Sequence, residues 1–425
     1  MGRGKFGFPT FPVLQPQQTL YLSMTIAMCP DQTHWSKILS HLPQYRAWVE
    51  IDLDALAENV QQLRRLLKPT TTLLAVVKAD AYGHGAVAVA ETALRSGAEW
   101  LGVATVLEGI ELRQAGLEAP ILLLGAANAK EEIQAIVHWR IQPTLCTVPQ
   151  AQTFSAVLES LGANATELLP VHLKLDTGMS RLGTPWEQAL EFVQAVKRLP
   201  GLHIASVYSH LATADEPESS TLWQQHDRFE QVLTALQQQE LLPPCRHLAN
   251  SAATLVSPKL HYDLVRVGLS LYGLYPAPHL ITPEVQLRPV LSVKARVTQV
   301  KTIAPGTGVS YGHRFIARRP TRVAVVAIGY ADGVSRLLSN QLKVGLRGEW
   351  VSQIGSITMD QMMLDVTDLP LVEPGDVVTL LGETEPGTLR AETWAEQMGT
   401  IAWEILCSFK HRLPRIMVSD RQCLL

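Results

Sequence analysis

The chain has 425 residues, a formal net charge of −3 and 47% hydrophobic residues, and its length favours two domains with sizeable cores. A charge this close to neutral argues against nucleic acid or an anionic membrane as a partner. The five cysteines lie far apart without paired or ligand-like spacing, which predicts reduced thiols, no metal site and a cytoplasmic location. No apolar run approaches the roughly 20 residues that a membrane helix requires.

Residues 1–45 differ in composition from the rest of the chain, with the proline- and glutamine-rich run "FGFPTFPVLQPQQ". This composition predicts a disordered extension or a misassigned start. An export signal is the alternative, because "TLYLSMTIAMC" is long enough for a weak signal core. No small-residue cleavage site follows that run, which argues against the alternative.

Strand-like runs alternate with amphipathic stretches over residues 46–284. The predicted strands lie at residues 73–78, 100–106, 120–125, 141–146, 171–176, 203–210, 246–250 and 264–273. Stretches such as "WEQALEFVQAVKRL" lie between most of them and have the spacing of helices. Strand then helix, repeated about eight times over about 200 residues, predicts an α/β fold with a (β/α)8 barrel.

The pattern changes after residue 285. Runs such as "VLSVKARVTQVKTI" and "RVAVVAIGY" alternate at period two between glycine turns, which predicts a mostly β domain over residues 285–425. The early run "WVEIDL" precedes the first barrel helix and could pair with either domain.

Polar residues collect at the C-terminal ends of the predicted barrel strands, where barrel enzymes carry their chemistry. Lys78 ends the first strand, although an unpaired lysine is seldom buried. The other polar residues at these ends are Arg181, His210, Ser251 and Arg266. Ser251 follows strand seven and Gly268 lies in strand eight, and the loops after these two strands are the usual phosphate site of such barrels. A phosphate site beside a lysine suggests pyridoxal phosphate bound covalently to Lys78.

Several motifs together resemble the alanine racemases. They read "AVVKADAYGHG", "LKLDTGMSRLG", "YSHLATADE", "ANSAA", "VRVGLSLYGL", "GVSYG", "IGYADG" and "MDQ", in family order over about residues 48–415. The resemblance implies pyridoxal-phosphate-dependent interconversion of L- and D-alanine, which supplies D-alanine for the cell wall. It also implies a head-to-tail homodimer whose active sites use both subunits.

The resemblance also implies a role for each matched residue. Lys78 would hold the cofactor and act as one base, and Tyr311 of the other subunit would be the second base. The phosphate would be bound by Tyr82, Ser251, Gly268 and Leu269. Arg266 would face the pyridine nitrogen, and His210 would pack beside the ring. Arg181 and Met359 would bind the substrate carboxylate, and the entry channel would be lined by Tyr330, Asp215 and Arg336.

Lys174 lies inside the fifth predicted strand, near the end that leads to Arg181. The resemblance implies that Lys174 is carbamylated, which turns a buried cation into an anion that orients the arginine. A salt bridge between Lys174 and an acid is the competing explanation.

Racemisation removes the α-proton from one face of the carbon and returns a proton to the other, so two acid/base groups must flank that carbon. Lys78 and Tyr311 have free pKa values of about 10.4 and about 10, which are too high for a base at neutral pH. Desolvation beside cationic neighbours would lower the lysine pKa, and positive charge would lower that of the tyrosine.

The chain departs from the family pattern at three positions. Trp403 stands where tyrosine is common, and its indole can only donate a hydrogen bond, which argues against a tyrosine-like phosphate contact and predicts a narrower gate. Ser356 and Thr358 stand where arginine and cysteine are common, which removes a positive charge from the channel. We expect activity with altered substrate entry or affinity.

Other functions remain open at this level. The enzyme could be a racemase of broader range that also accepts serine, or an amino acid decarboxylase of the same architecture. The decarboxylases typically place a carboxylate at the pyridine nitrogen and use a cysteine from the β domain, where this chain has Arg266 and Tyr311. A non-enzymatic pyridoxal phosphate carrier would have only the barrel.

Overall fold

The computed structural model describes residues 45–162 and 168–419. The extension predicted over residues 1–45 lies outside the described residues, apart from Tyr45. None of the helices in the described part of the chain combines the length and the hydrophobicity needed to cross a bilayer.

Strands and helices alternate first and strands dominate later. The strands are β1 Ala47–Asp52, β2 Thr72–Val76, β3 Trp100–Val103, β4 Ile121–Leu123, β5 Ile141–Leu145, β6 Leu169–Asp176, β7 Thr184–Pro185, β8 Leu202–Tyr208, β9 Cys245–His247, β10 Leu264–Val267, β11 Leu291–Ile303, β12 Gly308–Val309, β13 Phe315–Ile316, β14 Thr321–Val326, β15 Lys343–Leu346, β16 Glu349–Ile354, β17 Met362–Asp365, β18 Val377–Thr384, β19 Gly387–Leu389 and β20 Arg415–Val418. The helices are α1 Leu53–Arg65, α2 Lys78–Gly83, α3 Ala86–Arg95, α4 Val106–Gln114, α5 Lys130–His138, α6 Val148–Ser160, α7 Ala189–Lys197, α8 Ser220–Gln238, α9 Ser251–Val256, α10 Ala391–Met398 and α11 Ala402–Ser408.

Eight parallel strands form the predicted barrel, in the order β10-β2-β3-β4-β5-β6-β8-β9. Backbone hydrogen bonds from Arg266 N to Ala249 O (3.0 Å) and from Asp263 N to Arg246 O (3.1 Å) link the two ends of this order. Strand β2 is buried on both faces after its first residue, because side chains fill the barrel on one face and helices cover the other. The barrel prediction is confirmed.

The second sheet is mostly antiparallel, in the order β19-β18-β15-β16-β17-β14-β11-β1-β20. Strand β1, whose partner the sequence left open, belongs to this sheet, with Val49 opposite Val293 in β11. An ion pair between Glu50 and Lys294 (2.6 Å) joins the same two strands. The mostly β second half is therefore confirmed, and it includes one strand from the start of the chain.

Candidate active site

A cavity of about 580 Å³ opens at the C-terminal ends of the barrel strands. Most of its walls come from the segments that end or follow β2, β6, β8, β9 and β10. Every site residue that the sequence placed in the barrel lines it: Lys78, Tyr82, Lys174, Arg181, His210, Asp215, Ser251, Arg266, Gly268 and Leu269. The barrel thus brings together residues that are nearly 200 positions apart in the sequence.

Lys78 is held at the start of a left-handed turn. Residues 79–82 all have φ between +52° and +56°, a conformation that costs non-glycine residues about 1–2 kcal/mol each. Two carboxylates brace this turn: Glu108 Oε1 accepts from Ala79 N (2.9 Å), and Asp80 Oδ1 accepts from Ala86 N (2.7 Å). Strain of this kind persists only where the surroundings fix it, and it is common at functional sites.

The cavity lowers the pKa of Lys78. Burial of the ammonium is the main cause, and the Arg181 guanidinium lowers the pKa further. Glu108 and Cys407 act in the opposite direction. A lysine with a lowered pKa is neutral in a larger fraction of molecules, and a neutral amine is the form that attacks a carbonyl or accepts a proton.

Uncharged hydrogen-bonding groups meet on one side of the cavity. Ser251 Oγ accepts from Gly268 N (2.9 Å), and it lies 3.5 Å from Ser270 N. A Cβ on Gly268 would lie only 2.5 Å from the Tyr82 hydroxyl, so this wall requires glycine. Burial raises the pKa of Tyr82, which keeps its hydroxyl protonated as a donor.

Arg266 is buried in the cavity wall. One guanidinium nitrogen lies 2.9 Å from His247 Nδ1, and the other donates to the carbonyls of Ser209 (2.8 Å) and Leu248 (3.0 Å). The second nitrogen also lies 3.2 Å from His210 Nδ1. Burial lowers the pKa of Arg266 to about 10, so the guanidinium remains charged at neutral pH.

A series of hydrogen bonds runs from Arg266 on β10 across β9, β8 and β6 to β5. Since arginine can only donate, His247 Nδ1 accepts, and His247 Nε2–H then donates to Ser206 Oγ (2.9 Å). Ser206 in turn donates to His172 Nδ1 (2.6 Å), and His172 Nε2–H donates to Gln142 Oε1 (2.8 Å). Both imidazoles are neutral, because burial lowers the pKa of His172 to about 3 and that of His247 well below its usual value.

The sequence analysis predicted neither this series of hydrogen bonds nor the contact of Glu108. The histidines of the series could have been noticed, because "VHLKLD" and "RHLAN" place a histidine inside a predicted barrel strand. Glu108 follows Thr105 as the second member of a capping box, which explains its position but not its bond to the turn after Lys78. Cys407 also lines the cavity, and nothing in the sequence marked it.

Lys174 lies in the cavity wall with its ammonium 4.6 Å from the centre of the Tyr208 ring. Burial, together with the nearby charges of Arg266 and Arg181, lowers its pKa to about 7. Within residues 45–162 and 168–419, no carboxylate lies within ion-pair distance of Lys174, so the competing salt bridge has no partner there.

The site residues predicted in the β domain do not line the cavity of their own chain. Tyr311 is 71% exposed, Met359 53% and Tyr330 44%, and Arg336 is also exposed. Tyr311 begins the 3₁₀ turn Tyr311–His313 between β12 and β13. We call these residues (Tyr311, Tyr330, Arg336 and Met359) the β-domain face.

The three departures from the family pattern lie in different surroundings. Trp403 lines the cavity. Thr358 Oγ1 donates to Gln361 O (2.9 Å) in the turn that carries Met359. Ser356 is fully buried and donates to the backbone carbonyl of Tyr311, so it does not line a channel.

Comparison with known proteins agrees with this geometry. Residues 51–276 match the N-terminal domain of alanine racemase, and residues 290–417 match its C-terminal domain. An alanine racemase of a Synechocystis species is 60% identical over 373 residues, covering 88% of this chain and 99% of that protein. An alanine racemase of a Nostoc species is also 60% identical over 373 residues, covering 88% of this chain and 96% of the relative.

Solved structures show the same similarity. Alanine racemase from E. faecalis superposes with a TM-score of 0.83 at 34% identity, covering 89% of this chain and 99% of that one. Alanine racemase from Bartonella henselae, described with covalently bound pyridoxal phosphate, has a TM-score of 0.77 at 30% identity. The match covers 88% of this chain and 100% of that one. Fold, motif order and sequence identity agree over both halves, and the chain belongs to the alanine racemase family.

Proposed function

We propose that this protein is an alanine racemase that interconverts L- and D-alanine by a two-base mechanism with pyridoxal phosphate. The observation that carries the proposal is the cavity itself. It combines Lys78, whose pKa is lowered by burial, with the buried guanidinium of Arg266.

The residues of the cavity fit pyridoxal phosphate. Lys78 supplies the amine for a covalent link, and hydroxyls and backbone N–H groups supply neutral donors for a phosphate. The absence of a Cβ at Gly268 leaves that donor wall open beside the Tyr82 hydroxyl. We therefore assign the phosphate to Tyr82, Ser251, Gly268 and Leu269.

Pyridoxal phosphate, when bound, supplies an acceptor for the electron pair left at the substrate α-carbon. Arg266 sets the strength of that acceptor, because a guanidinium can only donate and leaves a ring nitrogen unprotonated. The arginine is held rigidly by His247 and by two backbone carbonyls, and His210 would pack beside the ring of the cofactor. A weak acceptor favours immediate return of a proton to the same carbon, which suits racemisation.

Two bases then act on opposite faces of the α-carbon. Lys78, whose amine would be freed when the substrate amine replaces it on the cofactor, would take or give the proton on one face, and Tyr311 of a second subunit would do so on the other. Arg181, oriented by carbamylated Lys174, binds the substrate carboxylate together with Met359. Tyr330, Asp215 and Arg336 line the entry channel.

The assignment of Tyr311 implies a homodimer with shared active sites. Exposure of the β-domain face, outside the cavity of its own chain, supports this assembly. We also propose a cytoplasmic location and a role in supplying D-alanine for the cell wall.

Circular dichroism of L- or D-alanine incubated with the purified protein tests the proposal. We expect both enantiomers to approach a racemic mixture, and we expect Lys78→Ala to abolish the change. The same assay with L-serine measures the substrate range. Release of carbon dioxide and an amine without racemisation would instead identify a decarboxylase.

A further inference from the structure

Two reciprocal hydrogen bonds tie the backbone of Tyr311 to the segment after β16. Ser356 Oγ donates to Tyr311 O (2.7 Å), and Ser310 Oγ donates to Ser356 O (2.7 Å). The Ser356 side chain is fully buried, so water cannot replace its hydroxyl as a donor to the Tyr311 carbonyl.

The loop that carries Tyr311 needs such a restraint. Ser310 has φ +63° and His313 has φ +42°, which are unusual values for non-glycine residues. The Tyr311 side chain is 71% exposed, so packing within its own chain does not fix it. The backbone at Gly355 lies close to that at Val309, since a Cβ on Gly355 would lie 2.7 Å from the Val309 carbonyl oxygen.

We propose that Ser356 is a positioning residue for Tyr311, acting through the Tyr311 backbone carbonyl. The inference rests on the proposed function, in which Tyr311 is the second base. The hydroxyl at this position is short and buried, and it donates to a backbone carbonyl. Ser356 therefore acts by holding the Tyr311 backbone in place, and it brings no charge to the substrate.

A displaced Tyr311 affects one face of the substrate and leaves the other unchanged. Lys78 can still remove the α-proton on its own face, exchange it with solvent and return a deuteron to the same face. That cycle incorporates deuterium with the configuration retained. Racemisation requires a proton from the opposite base, so it slows when Tyr311 moves away from the reacting carbon.

The ratio of deuterium incorporation to racemisation, measured in deuterium oxide, tests the proposal. We expect Ser356→Ala to raise this ratio roughly tenfold, because small misplacements of a catalytic group cost one to two orders of magnitude in rate. Ser356→Thr keeps the hydroxyl, and we expect its ratio to stay near that of the wild type. Ser352→Ala, on an exposed position of β16, is the matched control. A loss of folded protein lowers both rates together and leaves the ratio unchanged.

A second measurement does not depend on activity. Amide hydrogen exchange of residues 308–313 should be faster in Ser356→Ala than in the wild type and unchanged in Ser352→Ala. If Ser356→Ala does not fold, Ser310→Ala removes the reciprocal bond, and it should raise both the ratio and the exchange rate.

Tyr311→Phe distinguishes a failure of the Ser356 proposal from a failure of the proposed function. If Tyr311→Phe raises the ratio and neither serine variant does, Ser356 does not position the base, and the proposed function stands. If Tyr311→Phe leaves the ratio unchanged, Tyr311 is not the second base and both proposals are wrong.

Discussion

The barrel and the β domain contribute to the proposed site in different ways. The barrel gathers its predicted residues around one cavity, where Lys78, Lys174 and Arg266 all have lowered pKa values because they are partly or fully buried. The β-domain face presents its residues to solvent instead, with Tyr311 largely exposed. The contrast fits the proposed dimer, in which the barrel binds within one chain and the β domain completes a site on another.

The largest expected effect comes from removing the base on the β-domain face. Tyr311→Phe should lower racemisation in both directions by about 10²–10⁴, the range typical of a lost acid/base group. The absorbance of the lysine-bound cofactor should persist, because the residues that hold it lie in the barrel. Lys78→Ala should lose both the absorbance and the activity. Unchanged racemisation in Tyr311→Phe would contradict the division of roles between the two regions.

The rigidity of the barrel wall can be tested at Ser206. Ser206→Ala leaves His247 Nε2–H without an acceptor and His172 Nδ1 without a donor, which should lower the free energy of unfolding by about 1–3 kcal/mol. Chemical denaturation measures the loss, with the exposed Ser160→Ala as the control. Nitrogen-15 NMR of labelled histidines should show both imidazoles neutral in the wild type at neutral pH, because burial lowers the pKa of each. A protonated imidazole would contradict the assigned order of donors and acceptors in the hydrogen bonds that lead from Arg266 to Gln142.

Gly268→Ala probes the wall assigned to the cofactor phosphate. The added methyl group meets the Tyr82 hydroxyl, and overpacking of this kind costs about 1–3 kcal/mol. We expect the Kd for pyridoxal phosphate to rise roughly tenfold, the equivalent of about 1.4 kcal/mol. Fluorescence titration of the cofactor-free protein measures it. An unchanged Kd would place the phosphate elsewhere.

Lys174 should react with carbon dioxide in a pH-dependent way. With a pKa of about 7, its neutral fraction should rise from about one tenth at pH 6 to about nine tenths at pH 8, and only the neutral amine forms a carbamate. A carbon-13 NMR signal from labelled bicarbonate should increase over this range and disappear in Lys174→Ala. A signal that persists in that variant would belong to another amine.

Much of the barrel could be predicted from the sequence, because buried strands are apolar and their C-terminal ends carry the polar residues. Lys78 and Arg266 could be found in this way. The left-handed turn at residues 79–82 could not be predicted, since none of these four residues is glycine and part of its support comes from Glu108, which is distant in sequence. The pairing of β1 with β11 could not be predicted either, because a strand with buried residues on both faces fits either sheet.

The position of Tyr311 shows the limit of single-chain reasoning. Its glycine-rich flanks predict a loop of the second domain that is able to lie over a barrel mouth, and the structure gives Tyr311 an exposed position. In the proposed dimer Tyr311 reaches the cavity of a second chain, which the family resemblance implies and which the structure of one chain does not contain.

Subunit mixing tests the central claim, that Tyr311 completes the cavity of another subunit. Lys78→Ala and Tyr311→Phe proteins, each nearly inactive alone, are mixed under conditions in which subunit exchange is verified with tagged chains. Random pairing makes about half of the dimers heterodimeric, and each heterodimer contains one site with both bases, so roughly a quarter of the wild-type activity should return. No recovery after verified exchange would show that each site is built within one chain.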